Sequence, residues 1–149
     1  MKVDGIYYYG DSNGYIVSNK WIGNYYLDNN GEMVTNAWVG NYWCGSDGKY
    51  VKSAWVDNGN YYVNEKGLKV TNAWVGNYWC GSDGKYVKSA WVDNNRYYVN
   101  DKGVYIAGTW KKDNIGWYYQ AGDVYAKDIT LNINGTAYEF DGRGYLITK

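Results

Sequence analysis

The stretch VTNAWVGNYWCGSDGKYVKSAWVDN, residues Val34–Asn58, occurs again without a single change at Val70–Asn94. A 25-residue segment used twice, 36 positions apart, indicates an array of similar units, because a domain built on one core has no need to repeat a segment. A Trp also begins the units outside the two copies. These residues are Trp21, Trp38, Trp55, Trp74, Trp91 and Trp110, at intervals of 17 or 19 residues. Such short periods predict a stack of small supersecondary units.

The composition argues against several classes of protein. The 149 residues include nine Trp and twenty Tyr but one Phe, and the formal net charge is zero. A nucleic-acid partner is disfavoured because it requires a basic surface. No apolar run approaches the length of a membrane span. His is absent and no cofactor or metal motif is present, so we expect a non-catalytic module without a cofactor.

Each unit reads as a β-hairpin. The segment WVDNGNYYV contains the turn signal Asn58-Gly59, and WVGNYW contains Gly40-Asn41. Because the turn fixes the register of a hairpin, one face of each unit should carry an aromatic pair, and the other face should pair Val or Ile with Tyr. The predicted aromatic pairs are Trp21/Tyr26, Trp38/Trp43, Trp55/Tyr62, Trp74/Trp79 and Trp91/Tyr98.

The last unit, TLNINGTAYEF, has lost its aromatic pair. Its turn at Asn134-Gly135 sets Leu131 opposite Tyr138 on an apolar face, and the other face becomes polar. A polar outer face is what a terminal capping unit requires. We therefore expect the aliphatic and Tyr face of every hairpin to be interior, and the Trp face to meet the next unit and any ligand.

The sequence predicts one repeat module in three parts. Residues 1–20 form a partial N-terminal repeat, 21–127 the tandem hairpin repeats, and 128–149 the capping hairpin. The opening MKVDGIYYYG reads as a cut into a repeat, so we expect the chain to be a piece of a longer protein. Cys44 and Cys80 occupy equivalent positions two units apart, too far for a disulfide, and are expected to be small buried hydrophobes.

The iterated WVDNGNYYVNEKG and the segment DNIGWYYQAGDVYAKDITLNINGTAYEFDGRGYL resemble the cell-wall-binding repeats of Gram-positive bacteria, often called choline-binding repeats. The glucan-binding repeats of glucosyltransferases and the repeats of large clostridial toxins look similar. The resemblance covers almost the whole chain. It implies an all-β fold of tandem hairpins stacked as a β-solenoid-like superhelix, with choline between neighbouring hairpins in a box of aromatic side chains.

In this family the second strand of each hairpin usually has the sequence Trp-Tyr-Tyr. This chain matches that motif fully only at Trp117-Tyr118-Tyr119. The resemblance therefore makes Trp110, Trp117 and Tyr119 the first candidate site. We call this contact region between one hairpin and the next the Trp110 seam. The pairs of the earlier units follow as partial sites: Trp91, Tyr98, Trp74, Trp79, Trp55, Tyr62, Trp38, Trp43, Trp21 and Tyr26.

Three functions stay open for an extracellular, wall-associated module. The first is binding to choline or to teichoic-acid choline, since a quaternary ammonium gains about 0.5–2 kcal/mol from an aromatic face. The second is binding to glucan or another wall polysaccharide, favoured where Asn60 and Arg96 stand in place of the second-strand Trp. The third is a spacer or adhesin stalk in which the Trp face only stacks. End-to-end self-association is a further expectation.

Overall fold

The computed structural model describes residues 1–147, and its regular structure in that range is entirely β. Within these residues there is therefore no helix that could span a membrane. The chain divides into two compact units, Met1–Val70 and Thr71–Lys149. The expected all-β architecture of tandem hairpins is confirmed, whereas the division at residues 20 and 127 stays a prediction.

The first unit consists of four two-stranded antiparallel hairpins. They are β1 (Lys2–Val3) with β2 (Ile6–Tyr7), β3 (Lys20–Ile22) with β4 (Tyr25–Leu27), β5 (Ala37–Val39) with β6 (Tyr42–Cys44), and β7 (Ala54–Val56) with β8 (Tyr61–Val63).

The second unit begins with one more such hairpin, continues with two three-stranded antiparallel sheets and ends with a two-stranded hairpin. The strands are β9 (Ala73–Val75) with β10 (Tyr78–Cys80), β11 (Ala90–Val92) with β12 (Tyr97–Val99) and β13 (Tyr105–Ile106), β14 (Gly108–Lys112) with β15 (Trp117–Ala121) and β16 (Val124–Tyr125), and β17 (Ile129–Ile133) with β18 (Thr136–Phe140).

The predicted hairpin registers are confirmed, but the long turns differ from the expectation. Val56 pairs with Tyr61, so the loop holds four residues instead of two, and φ is positive at Asp57, Asn58 and Gly59. The centre of the loop is unchanged, and the register therefore follows the prediction.

The interior lies on the aliphatic side of the hairpins. The residue that ends the second strand is buried in successive repeats, at Leu27, Cys44, Val63, Cys80 and Val99. Both cysteines are thus buried thiols in a slot for small apolar side chains, as expected. Burial raises the pKa of the Cys44 thiol.

The last hairpin supplies most of a separate core at the end of the second unit. Leu131 and Ile133 of β17 pack with Phe140 of β18 and with Ala126. Leu131 pairs with Tyr138, while the opposite face presents Thr130 and the other polar positions, as the capping interpretation predicts.

Candidate functional site

The structure forms every aromatic pair that the hairpin registers predict. The two rings of each pair lie 5.2–5.4 Å apart, in Trp21/Tyr26, Trp38/Trp43, Trp55/Tyr62, Trp74/Trp79 and Trp91/Tyr98. These contacts are made within one hairpin, and residues of the following hairpin add further walls.

The first aromatic box, the Trp21 box, consists of Trp21 of β3 and two tyrosines of the following repeat. The Trp21 ring centroid lies 5.5 Å from that of Tyr42 and 5.7 Å from that of Tyr50, and the two Tyr rings are 5.5 Å apart. The three interplanar angles are 71°, 82° and 78°, so the rings meet like the walls at the corner of a box. An opening of about 210 Å³ lies there, lined by the three rings and Gly23.

The second aromatic box, the Trp74 box, repeats this geometry in the second unit. Trp74 lies 5.8 Å from Tyr97 and 5.9 Å from Tyr105, and the two Tyr rings are 5.6 Å apart. The interplanar angles are 78°, 81° and 78°. The opening is larger, about 360 Å³, and Asp93 and Arg96 contribute to its lining.

Local backbone geometry delivers the third ring of each box. The side-chain oxygen of Asn100 accepts hydrogen bonds from the backbone N–H groups of Lys102 and Val104, each at 2.9 Å, which closes the loop before Tyr105. Tyr105 then donates its backbone N–H to the carbonyl of Asn77, in the turn of the preceding hairpin, at 2.8 Å. The corresponding bond joins Tyr50 N–H to the carbonyl of Asn24 at 3.0 Å.

A carboxylate fixes the indole of the Trp74 box. Trp74 Nε1 donates a hydrogen bond to Asp93 Oδ2 at 3.0 Å, and the Arg96 guanidinium lies 2.6 Å from Asp93 Oδ1. Desolvation by burial would raise the pKa of Asp93, but the hydrogen bonds from Arg96 and Trp74, together with the guanidinium charge, hold that pKa below its usual value. The box therefore carries an ionised carboxylate whose charge is largely matched by Arg96.

The Trp38 box has the same indole arrangement but a different third wall. Trp38 Nε1 donates to Asp57 Oδ2 at 3.0 Å, and the Trp38 ring lies 5.4 Å from that of Tyr61. The third position holds Lys69, whose Nζ is 5.1 Å from the Trp38 centroid and 5.5 Å from the Tyr61 centroid. A cation therefore stands where the other two boxes have a ring.

The predicted Trp110 seam is covered by the last hairpin. Trp110 lies 5.1 Å from Tyr119, 4.9 Å from Tyr138 and 5.7 Å from Phe140, and it packs against the core of the second unit. Trp117 is 6.4 Å from Trp110 and is 44% exposed. The binding role of this seam stays a prediction.

Trp91 lines a further groove of the second unit. Its ring is tilted by 39° to that of Tyr119 at a distance of 6.1 Å. The opening of about 370 Å³ is lined in addition by Tyr98 and by the side of the last hairpin that carries Asn132.

Sequence reasoning missed the walls that come from the following hairpin, namely Tyr42, Tyr50, Tyr61, Tyr97, Tyr105 and Lys69. The expectation that the aliphatic and Tyr face is only interior needs correction. The first Tyr of the second strand, Tyr42 or Tyr97, lies on the face opposite the Trp of its own hairpin and contacts the Trp of the preceding hairpin. The signal was present as a recurring pair of Tyr residues eight positions apart, in Tyr42/Tyr50, Tyr78/Tyr86 and Tyr97/Tyr105.

Two comparisons with known proteins agree with this geometry. A family model described as the choline-binding repeat matches residues 15–50, 32–68 and 68–105, which is more than half of the chain. The chain belongs to the choline-binding repeat family. The matched repeats contain both three-ring boxes, and Tyr105 is the last matched residue. No curated protein sequence gives a significant match.

Solved choline-binding domains share the fold. The choline-binding domain of CbpL from Streptococcus pneumoniae is 31% identical, with a TM-score of 0.62, over 100% of this chain and 96% of that domain. The pneumococcal modular autolysin LytC, solved with a synthetic peptidoglycan ligand, is 26% identical with a TM-score of 0.57, over 95% of this chain and 37% of LytC. Choline binding protein F, solved in the presence of a peptidoglycan analogue, is 25% identical with a TM-score of 0.55, over 99% of this chain and 57% of that protein.

Proposed function

We propose that this choline-binding repeat module attaches its parent protein to choline-bearing polymers of a bacterial cell wall, outside the cell and without catalysis of its own. The observation that carries the proposal is the Trp74 box, in which three nearly perpendicular rings surround an opening beside a carboxylate. Cages of aromatic rings are the usual protein site for quaternary ammonium groups, because the negative face of each ring attracts the cation.

The energy of such a box suits a weak and repeated site. Each ring contributes about 0.5–2 kcal/mol to a bound cation, and three rings can reach the roughly 4 kcal/mol that corresponds to a dissociation constant near 1 mM. A polymer that carries many choline groups would engage several boxes at once, and the effective concentration of the second group raises the overall affinity. The absence of a net charge is no obstacle, since the attraction comes from the ring faces.

Arg96 does not oppose a cationic ligand as strongly as its charge suggests. Its guanidinium is paired with Asp93 at 2.6 Å and leans over Tyr97 at 5.9 Å from the ring centroid. The net local charge is therefore close to zero, and the π faces dominate the electrostatics of the Trp74 box.

Titration of the chain with choline, followed by Trp fluorescence and thermal unfolding, tests the proposal. Saturable binding is expected, with a stabilisation of about 2.7 kcal/mol per site at a ligand concentration of 100 times the dissociation constant. Tyr105→Leu and Tyr50→Leu should each weaken one site about 2- to 30-fold, the equivalent of one lost cation–π contact. Tyr15→Leu is the control, because Tyr15 is 72% exposed and lies in neither box. Unchanged fluorescence and unfolding up to high choline concentrations would leave the spacer or stalk role.

The groove of Trp91 supports a second ligand class, wall glycan or glucan. Its tilted Trp91 and Tyr119 rings offer flat apolar faces, and Asn132 and Asn134 supply amide groups at its edge. Flat faces flanked by amide groups suit a sugar ring better than a compact cation. Retention on a dextran or wall-polysaccharide column that is lost in Trp91→Ala would support this role. End-to-end self-association stays a prediction that sedimentation of the chain can decide.

A further inference from the structure

In the two copies of the 25-residue repeat, the first ring of the aromatic box is the same Trp, held by the same hydrogen bond. Trp38 and Trp74 stand at the same position of the copies, and each donates its Nε1 hydrogen to the Asp that lies 19 residues later, at 3.0 Å. Tyr61 and Tyr97 then supply the second wall. The two boxes differ at the third wall, which lies beyond the end of each copy.

Lys69 and Tyr105 occupy that third wall through the same backbone geometry. Lys69 bridges to Val63, and Tyr105 pairs with Val99. Lys69 N–H donates to the carbonyl of Asn41 at 2.8 Å, which is the bond that Tyr105 makes to Asn77. The side chains therefore start from equivalent points, and the Lys69 ammonium reaches the faces of the two remaining rings, 5.1 and 5.5 Å from their centroids.

The burial of Lys69 separates it from the other lysines near aromatic rings. Lys52 and Lys88 each lie over a single Tyr ring and are exposed. Among the lysines of residues 1–147, Lys69 is the one that is half-buried. Withdrawing an ammonium from water is unfavourable unless a partner offsets the loss, and two ring faces provide such a partner.

Resting on the proposed function, we infer that Lys69 fills the Trp38 box with the chain's own cation, so that this box takes no external quaternary ammonium ligand. Residue 69 or its equivalent then determines which repeats bind. A Tyr there completes a three-ring site, as Tyr50 and Tyr105 do, whereas a Lys closes it. The two copies of the 25-residue repeat, although identical in sequence, would thus differ in occupancy.

Reciprocal substitutions test this inference by calorimetric titration of the whole chain with choline. Lys69→Tyr should add one equivalent of bound choline, and Tyr105→Lys should remove one. Lys69→Arg should leave the wild-type stoichiometry, because it retains a cation. Lys52→Gln is the matched control: Lys52 covers one ring but does not line the opening of the Trp21 box, so its loss should change nothing. An unchanged stoichiometry in both Lys69→Tyr and Tyr105→Lys would overturn the inference.

A readout without ligand separates this inference from the proposed function. The ε-methylene protons of Lys69, assigned by comparison with Lys69→Arg, should be the most strongly ring-current-shifted of the lysines, and saturating choline should leave them in place. A Lys69 signal at the ordinary position, or one that moves there as choline is added, would refute self-occupancy. Absence of choline binding in both wild type and Lys69→Tyr would refute the proposed function, while a shifted Lys69 signal would still establish the internal cation.

Discussion

The indole Nε1 of Trp74 donates a hydrogen bond to Asp93 Oδ2 at 3.0 Å, and Trp38 makes the same bond to Asp57. Each bond joins the first strand of one hairpin to the turn of the next, so it orients the indole and links neighbouring repeats. The long turns, which start at these Asp residues, are therefore part of the box as well as connections between strands.

We expect Asp93→Asn to lower the stability of the chain at neutral pH. The folded-state pKa of Asp93 is depressed, so the charged carboxylate contributes stability above its unfolded value of about 3.9, and this contribution is lost as the pH falls through the lower folded value. Urea unfolding of wild type and Asp93→Asn should thus converge at acid pH. Arg96→Gln is the companion variant, and it should flatten the pH dependence because it removes the guanidinium partner. A pH-independent difference between wild type and Asp93→Asn would contradict this account.

Gly67→Ala should disturb the Trp21 box through Tyr50. A Cβ at Gly67 would lie 2.6 Å from Tyr50 Cδ2, and the φ of +83° adds strain of about 1–2 kcal/mol for any other L-residue. Gly59→Ala is the matched control, since its φ is +75° but its Cβ would meet nothing within 4 Å. Both variants should lose stability in urea, and Gly67→Ala should lose more and also bind choline more weakly. Equal losses of stability in the two variants would show that the Tyr50 ring can move away from the added methyl group without an energetic penalty.

Substitutions of Trp110 and Trp117 should differ in their effect on stability, because Trp110 is packed at the end of the second unit and Trp117 is exposed. Trp110→Ala removes contacts with Tyr138 and Phe140 and is expected to cost about 3 kcal/mol of unfolding free energy. Trp117→Ala changes an exposed ring and should cost about 0.5 kcal/mol. Chemical denaturation measures both. A large loss of choline binding in Trp117→Ala at unchanged stability would instead support the predicted seam as a binding site.

Cys44 should behave as a buried apolar residue. Val63 and Val99 occupy equivalent positions and are fully buried, so Cys44→Val is expected to change stability by less than about 1.5 kcal/mol. Burial raises the pKa of the Cys44 thiol in the folded chain. The contribution of this thiol to the free energy of unfolding is therefore fully present below the ordinary thiol pKa of about 8.5, and it is lost as the pH rises through the higher pKa of the folded state. Thiol-reagent kinetics provide the measurement: labelling should be slow in the folded chain and fast in urea, and rapid labelling of the folded chain would argue against burial.

The sequence by itself determined the hairpins and their registers. Turn signals such as Asn134-Gly135 fix which residues face each other, and period-2 alternation then assigns every side chain to a face. The aromatic pairs, the capping hairpin and the slot for the cysteines all follow from these local rules. The length of the long turns did not follow, because positive φ at Asp57 extends the loop without moving its centre.

Tertiary structure decided how the Trp face is completed. The walls of a box come from hairpins whose residues lie 20 or more positions apart in the chain, and no local rule states which ring of the next repeat meets Trp21 or Trp74. The same packing covered Trp110 with the last hairpin and brought the Lys69 ammonium over Trp38. The sequence determines which side chains each face of a hairpin carries, because turns and alternation act over a few residues. The space between hairpins depends on how two hairpins pack, so only the folded chain defines it.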